Sequence, residues 1–245
     1  MITVPISKKN KFDDTVRRAL FHLNTYWLFR YDKARFVSGQ DKVDLWPTTN
    51  AGRIRGSLAP EEKWLLYNLA TQLPEESTIF EIGCFGGLST YFLGKGAEIS
   101  DSQVYSVDPF ASEMATQVSM DDGEEAIYLQ ADFNKPSLED VQAVMDFHDL
   151  TDRVTLIEGF SHSIDWEDKP IDLLWIDGNH AYDAVVQDFE KYGPLVNKGG
   201  FVAFHDSVAP YGKKVTIKAI EDTVSASPEW EILGKQHSIT YARKL

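Results

Sequence analysis

The sequence predicts an α/β fold in which helices cover both faces of a mainly parallel, doubly wound sheet. Short apolar runs at 77–83, 103–108, 153–159 and 171–177 alternate with segments of helical period, the pattern of β-α-β units. Several of these runs end in glycine or aspartate. Because the carboxyl ends of parallel strands face one crevice, we expect a ligand site at that edge.

Length and composition are those of one buried domain with a small extension. The chain has 245 residues, of which 43% are apolar and 12% aromatic, enough for a sizeable core. Cys84 is the single cysteine, which suits a reducing compartment. The first 14 residues lack the pattern of a secretory signal, and no apolar run approaches the ~20 residues that span a bilayer. These features predict a soluble, cytoplasmic protein with no membrane partner.

Charge divides the chain into two parts. The net charge of -14 argues against nonspecific nucleic-acid binding, which requires a basic face. Residues 1–57 carry 11 Lys/Arg and 5 Asp/Glu, a balance of +6, whereas 58–245 carry 13 against 33, a balance of -20. This asymmetry predicts that the basic extension lies against the acidic domain of its own or a partner chain, as in a homo-oligomer. A solvated basic tail is the alternative.

The extension, 1–57, precedes the predicted catalytic domain, 58–245. Apolar residues at helical spacing predict a helix over 12–36, followed by a connecting loop. A second helix is predicted over 60–73, with Ser57 as its cap and Pro60 in its first turn.

A glycine-rich turn follows the first predicted strand. It holds Gly83, Gly86 and Gly87 before a helix that begins near Leu88. Such a turn brings backbone N–H donors close to a ligand at a helix N-terminus. Asp108 ends the next strand, 25 residues after Gly83, where a carboxylate can accept both hydroxyl protons of a ribose. The unit predicts a nucleoside-containing cofactor.

The stretch 171–207 carries the candidate chemistry. Its two apolar runs deliver Asp177 and Asp206 to neighbouring strand ends, and His180 lies three residues after Asp177. Two carboxylates and an imidazole at one edge form a candidate metal and base site. The alternative is that Asp177 caps the following helix and that His180 is a buried core residue. We expect His205 to point to the opposite face from Asp206, in a structural role.

The remaining segments complete the sheet. Residues 110–149 include the acidic block 121–125 and are predicted to form a lid or a solvated insertion, followed by a helix over 137–149. A helix over 213–226 then precedes two apolar stretches separated by Gly-Lys-Gln at 234–236, which predicts an antiparallel hairpin.

Several of these motifs carry a resemblance to a known family. FEIGCFGGLST at 80–90, VYSVD, WIDGNHAYD, LVNKGGFVAFHDS and the closing EWEILGKQHSITYARK resemble class I S-adenosylmethionine-dependent methyltransferases over roughly 58–245. The resemblance is closest to small-molecule O-methyltransferases that act on catechols and macrolide sugars. It implies a Rossmann-like sheet of seven strands ordered 3-2-1-4-5-7-6, with the last strand antiparallel.

The resemblance also implies roles for individual residues. It places the methionine part of the cofactor on the first motif, the ribose on Asp108 and the adenine edge on Ser161 and His162. A divalent metal, Mg²⁺ by preference, would bind Asp177 and Asp206, and His180 would take the proton of the acceptor. Asp177 also borders the cofactor. Here Ser207 follows Asp206, where the catechol-like pattern has an Asn. The first-motif residues implied in cofactor binding are Glu81, Gly83, Phe85, Gly87 and Ser89.

Together these features predict metal-assisted methylation of a small-molecule hydroxyl. A nicotinamide-dependent oxidoreductase would share the β-α-β unit, but its glycine spacing is GxGxxG, unlike Gly83-x-x-Gly86-Gly87. A non-catalytic binding module with this fold is the other alternative, although Asp177, His180 and Asp206 are all present.

Overall fold

A computed structural model describes residues 54–111, 135–167 and 169–245. The predicted helix over 12–36 and the acidic block of the predicted lid lie outside the described residues. Among the helices of the described ranges, none is long and apolar enough to cross a membrane.

Within those ranges helices and strands alternate along the chain, and two short 3₁₀ turns occur at Ser161–Ser163 and Gly193–Leu195. In chain order the helices and strands are α1 (Pro60–Thr71), β1 (Thr78–Ile82), α2 (Leu88–Ser100), β2 (Gln103–Asp108), α3 (Leu138–Phe147), β3 (Val154–Glu158), β4 (Ile171–Ile176), α4 (Tyr182–Tyr192), β5 (Val196–Phe204), α5 (Lys214–Asp222), β6 (Trp230–Gln236) and β7 (Ile239–Lys244).

The strands form one seven-stranded sheet in the order β3-β2-β1-β4-β5-β7-β6. Strands β1 to β5 pair in parallel, whereas β7 runs antiparallel to both β5 and β6. The predicted fold class and strand order are therefore confirmed.

Alternate side chains of the central strand β4 serve two separate cores. Leu173 and Trp175 pack into the core beneath α1, α2 and α3. Leu174 and Ile176 pack on the other face with α4 and α5. Fully burying such a side chain contributes about 1.5–3 kcal/mol, so a continuous apolar run is required of a strand covered on both faces.

The helix starts of α1 and α3 are stabilised in different ways. Helix α1 begins at Pro60 as predicted, but its N-cap is Ala59, whose N–H donates to Glu62 Oε2 at 2.7 Å. The prediction of Ser57 as the cap is wrong, because Glu62 reaches back from the first turn instead. Helix α3 has a reciprocal capping box, in which Ser137 and Asp140 each accept a backbone N–H from the other.

Two predicted boundaries shift near the C-terminus. Helix α5 ends at Asp222 rather than 226, and the residues after it form turns. Strand β6 continues through Gln236, so that Gly-Lys-Gln belongs to the strand. The hairpin instead turns at His237, whose φ of +52° is left-handed, and Ser238.

Strand register sets the carboxyl edge of the sheet. Ile82 of β1 is paired with Val107 of β2 and with Ile176 of β4. Ile176 is in turn paired with Phe204 of β5. The next residue of each strand therefore lies at the same level of this edge: Gly83, Asp108, Asp177 and His205.

Candidate active site

A cavity of about 1080 Å³ opens at this edge, large enough for a nucleoside cofactor together with part of an acceptor. Of the residues predicted for the site, Glu81 and Gly87 do not line it. The predicted residues that do line it are Gly83, Phe85, Ser89, Asp108, Ser161, His162, Asp177, His180 and Asp206.

The glycine turn is packed against the protein's own backbone. Gly83 has φ +87°, and a Cβ there would lie 2.3 Å from the carbonyl oxygen of Asp177. At Gly86 a Cβ would lie 2.5 Å from Cβ of Arg55. These two glycines are needed because other parts of the chain approach them closely. Sequence reasoning had explained the glycines by the close approach of a ligand instead. Phe85 and Ser89 are the side chains of the turn that border the cavity.

Glu81 is fully buried beneath the turn, behind the cavity wall. Burial raises the pKa of this carboxyl from 4.5 to about 7, even though the hydroxyls of Ser106, Ser89 and Thr90 act to lower it. Thr90 Oγ1 donates to Oε2 at 2.6 Å, and Ser106 Oγ donates to the same oxygen. In the described chain no donor lies within hydrogen-bonding distance of Oε1. Because Glu81 does not line the cavity, its predicted contact with the methionine part of the cofactor stays a prediction.

Asp108 already has protein partners. Its Oδ2 accepts the backbone N–H of Cys84 at 3.1 Å and of Phe85 at 3.0 Å. Its Oδ1 accepts the N–H of Phe110 at 2.7 Å and lies 3.0 Å from Lys135 Nζ. In this structure the carboxylate therefore holds the shape of the glycine turn, and its contact with a ribose stays a prediction.

Helix α4 fixes the loop that carries the predicted adenine edge. Lys191 Nζ donates to the carbonyls of Ser161, His162 and Ile164. Ser161 Oγ also donates to Asp188 Oδ1 at 2.5 Å. Burial raises the pKa of Asp188 to about 6. Sequence reasoning missed Asp188, although it lies in the second turn of α4, the helix that follows Asp177 and borders the cavity.

Asp177, His180 and Asp206 meet in the wall of the same cavity. His180 Nε2 lies 3.4 Å from Asp177 Oδ1 and 3.5 Å from Asp206 Oδ2. Asp177 does not cap the following helix. The N-cap of α4 is Ala181, whose N–H donates to Asn179 Oδ1 at 2.8 Å.

His205 is part of this cluster, and the prediction that it points away is wrong. Its Nδ1 lies 2.9 Å from Asp177 Oδ1 and 3.6 Å from Asp206 Oδ1. Residues paired across parallel strands share a face, so His205, level with Asp177, shares its side of the sheet. Asp206 escapes strict alternation because its φ is +49°. Pairing the last apolar residues of the two strands, Ile176 with Phe204, places His205 level with Asp177 and would have identified it.

The carboxylates and His205 shift each other's ionisation. Burial alone would lower the pKa of His205, but Asp177 and Glu62 raise it to about 10. Burial opposes ionisation of Asp177 as well, yet the charge and hydrogen bonds of the two histidines lower its pKa below the usual value. Each group therefore favours the charged form of the other.

A divalent cation has candidate ligands in this cluster. Ligand atoms of Asp177, His180 and His205 all lie within 4.8 Å of one another, and Asp206 borders the same two imidazoles. Carboxylate oxygens suit Mg²⁺, whereas imidazole nitrogens suit transition metals. Ser207 is not a substitute ligand, because its buried hydroxyl donates towards the carbonyls of Phe204 and Ser238.

The strand order, the glycine turn and the cavity that ends in paired carboxylates and histidines define a class I S-adenosylmethionine-dependent methyltransferase. The model of a family described as "Methyltransferase domain" matches residues 80–207, just over half of the chain. The chain belongs to this family.

Solved structures with the same fold agree with that assignment. The O-methyltransferase NovP is 16% identical, with a TM-score of 0.59 over 78% of this chain and 83% of NovP. Cofactor-bound Rv0187 from MTB is 14% identical, with a TM-score of 0.57 over 91% of this chain and 95% of its own. CalS11, a TDP-rhamnose 3'-O-methyltransferase of calicheamicin biosynthesis, is 17% identical, with a TM-score of 0.50 over 96% of this chain and 95% of CalS11.

A curated relative matches a short stretch only. An uncharacterized protein, R132, of Acanthamoeba polyphaga mimivirus is 53% identical over 36 residues. The match spans 15% of this chain and 16% of that relative's length.

Proposed function

We propose that this protein transfers the methyl group of S-adenosylmethionine to a hydroxyl of a small molecule, with His180 as the general base. The observation that carries the proposal is the position of His180, whose Nε2 is 3.4 Å from Asp177 in the wall of the same cavity that begins at the glycine turn. A base and a cofactor cradle in the wall of one cavity suit an in-line transfer between two bound molecules.

The cofactor supplies a methyl group on a sulfonium, which makes that carbon electrophilic. The chain's own residues then have two tasks, which are to orient the acceptor and to remove its proton. The turn residues Phe85 and Ser89, with Ser161 and His162, would bind the cofactor along one wall. This leaves the end of the cavity near Asp177, His180 and Asp206 for the acceptor.

His180 is suited to proton removal when its Nε2–H donates to Asp177, because Nδ1 then carries the lone pair. A positioned base of this kind contributes about 10²- to 10⁴-fold to the rate.

Asp177 and Asp206 would hold a divalent cation, Mg²⁺ in our proposal. Such a cation lowers the pKa of a bound hydroxyl and orients its oxygen. NovP and CalS11 are O-methyltransferases, which supports a hydroxyl as the acceptor here, and CalS11 acts on TDP-rhamnose, which supports a sugar as its carrier.

The test is transfer of a labelled methyl group to a panel of phenols, sugars and amines, with Mg²⁺ and with EDTA. We expect transfer to a hydroxyl compound that Mg²⁺ increases. Transfer to amines alone would refute the hydroxyl, and equal rates in EDTA would refute the metal. Binding of NAD but not S-adenosylmethionine, measured by calorimetry, would favour an oxidoreductase. Binding of S-adenosylmethionine without methyl transfer to any compound of the panel would favour a binding module.

His180→Ala is expected to lower the transfer rate by about 10²-fold or more while leaving the cofactor dissociation constant nearly unchanged. His148→Ala is the matched control, because His148 lies outside the residues that line the cavity. A His180→Ala enzyme that turns over at the parent rate would remove His180 from the mechanism.

A further inference from the structure

Glu62 is a buried carboxylate that lies outside the cavity but contacts its wall. It belongs to the first turn of α1 and is only 1% exposed. The side chain does not border the cavity, so neither cofactor nor acceptor explains its burial. A buried carboxylate costs several kcal/mol unless it is fully partnered, and the partners of Glu62 therefore indicate its role.

Its two oxygens are held by different parts of the chain. Oε1 accepts the N–H of Ser238 at 3.0 Å and the Ser238 hydroxyl at 2.5 Å, and it lies 3.0 Å from His237 Nδ1. These partners form the turn of the β6–β7 hairpin. Oε2 accepts the N–H of Ala59 at 2.7 Å and lies 3.4 Å from His205 Nε2. The carboxylate is thus fixed by its own helix and by the hairpin before it meets His205.

The ring of His205 consequently lies between two carboxylates. Its Nε2 faces Glu62 and its Nδ1 faces Asp177 at 2.9 Å, so each nitrogen serves best as a donor. The indole ring of Trp175 packs beside the imidazole with a centroid distance of 5.7 Å. Glu62 lowers the freedom of this ring, because rotation about the Cβ–Cγ bond would break both polar contacts.

The same oxygen of Asp177 serves both histidines. Oδ1 lies 2.9 Å from His205 Nδ1 and 3.4 Å from His180 Nε2. A shift of His205 would therefore move Asp177 Oδ1, or change the charge next to it, and would in this way affect the orientation of His180.

We propose that Glu62 is a positioning residue of the methyl-transfer site, which acts by holding His205 so that Asp177 stays aligned with His180. The effect on turnover rests on the proposed function, whereas the effect on the two imidazoles does not. Glu62 also connects α1 to the β6–β7 hairpin through its hydrogen bonds. If its role were purely structural, it would stabilise that connection and have no effect on the two histidines.

The first test needs no acceptor. The histidine ring ¹⁵N and ¹H resonances are measured at one fixed pH in the full chain and in Glu62→Gln, which keeps the shape but not the charge. We expect the resonances of His205 and, through Asp177, of His180 to shift, while those of His162 stay in place. The matched control is Glu61→Gln on the same helix turn, which should leave all of them unchanged. Unchanged His205 and His180 signals in folded Glu62→Gln would overturn the proposal, whatever reaction the protein performs.

The second test is a double-mutant cycle on turnover. Glu62→Gln is expected to lower kcat at least tenfold with the cofactor dissociation constant within twofold of the parent. In a His205→Ala background the same substitution should have no further effect on kcat, because Glu62 acts through His205. Additive losses in kcat, or a loss confined to thermal stability, would show that Glu62 is only structural.

Discussion

Glu81, which is fully buried, and Asp177, whose side chain is 20% exposed, are carboxylates near the active edge whose pKa values shift in opposite directions. Glu81 has only neutral hydroxyl donors, so burial dominates and raises its pKa to about 7. Asp177 has two imidazoles, whose charge and hydrogen bonds outweigh burial and lower its pKa. The sequence indicated Asp177 from its position at a strand end and Glu81 through the family resemblance. It could not indicate their partners, because those come from β2 and α2 in one case and from β5 in the other.

Glu81→Gln is expected to remove a pH dependence of stability. The pKa of Glu81 rises from 4.5 to about 7 on folding, so the native state binds the extra proton between these values. The stabilisation from this group is complete below pH 4.5 and is lost as the pH rises towards 7, by on the order of 3 kcal/mol. Denaturant unfolding at pH 4.5 to 7.5 without cofactor should show this decline in the parent relative to the variant. Parallel pH profiles would contradict it.

Asp108→Ala is expected to weaken cofactor binding by roughly 10- to 100-fold, the loss typical of hydrogen bonds to a charged group. Removing the carboxylate releases the N–H groups of Cys84 and Phe85, which shape the turn, and would also remove the predicted ribose acceptor. Calorimetry with S-adenosylmethionine measures the change, with exposed Asp149→Ala as the control. An unaltered dissociation constant would refute the ribose assignment.

Among the helices and strands, local rules predicted most of what is observed. Apolar runs located β1 to β5, and Ser137 marked the start of α3. The local signals failed where a distant group decided the outcome. The hairpin turned at His237 rather than at the glycine, and this turn contacts the distant Glu62 through His237 and Ser238. His205 was missed for the same reason, since its partner strand sets the face that it occupies.

Helices α1 and α2 meet at a point with no room for a side chain. A Cβ on Gly96 would lie 2.5 Å from Cβ of Ala70 and 2.7 Å from the carbonyl oxygen of Tyr67. Gly96→Ala should therefore destabilise the protein by about 1–3 kcal/mol, although alanine is the better helix former by about 1 kcal/mol. Denaturant unfolding measures the change, and a variant as stable as the parent would show that the two helices can separate without cost.

At the scale of the whole molecule, a basic extension at 1–57 precedes an acidic domain at 58–245. The described ranges contain only the last four residues of the basic extension 1–57, so its helix and its contact with the acidic domain stay predictions. The acceptor of the methyl group is open for a related reason, because 112–134 also lie outside the described residues. Sequence reasoning identified the donor from local motifs, whereas selection of the acceptor depends on how distant segments come together.

If the basic extension pairs with the acidic domain of a second copy, the homo-oligomer should be sensitive to salt. Exposed charge pairs are screened within about 10 Å at 0.1 M and about 3 Å at 1 M ionic strength. Sedimentation of the full chain should thus show an oligomer at low salt that dissociates towards 1 M NaCl. A chain lacking residues 1–53 should sediment as a monomer at both, and an oligomer that persists without them would place the interface elsewhere.

The tight packing at Gly83 has a consequence for how this enzyme could diversify. The carbonyl of Asp177 fills the space that a side chain at 83 would need. The glycine turn, proposed for the methyl donor, and Asp177, proposed for the acceptor, are therefore in direct contact. A change there would disturb both of them together. New acceptor preferences would have to arise around the rim, where a substitution can alter what is methylated without disturbing how the methyl group is delivered.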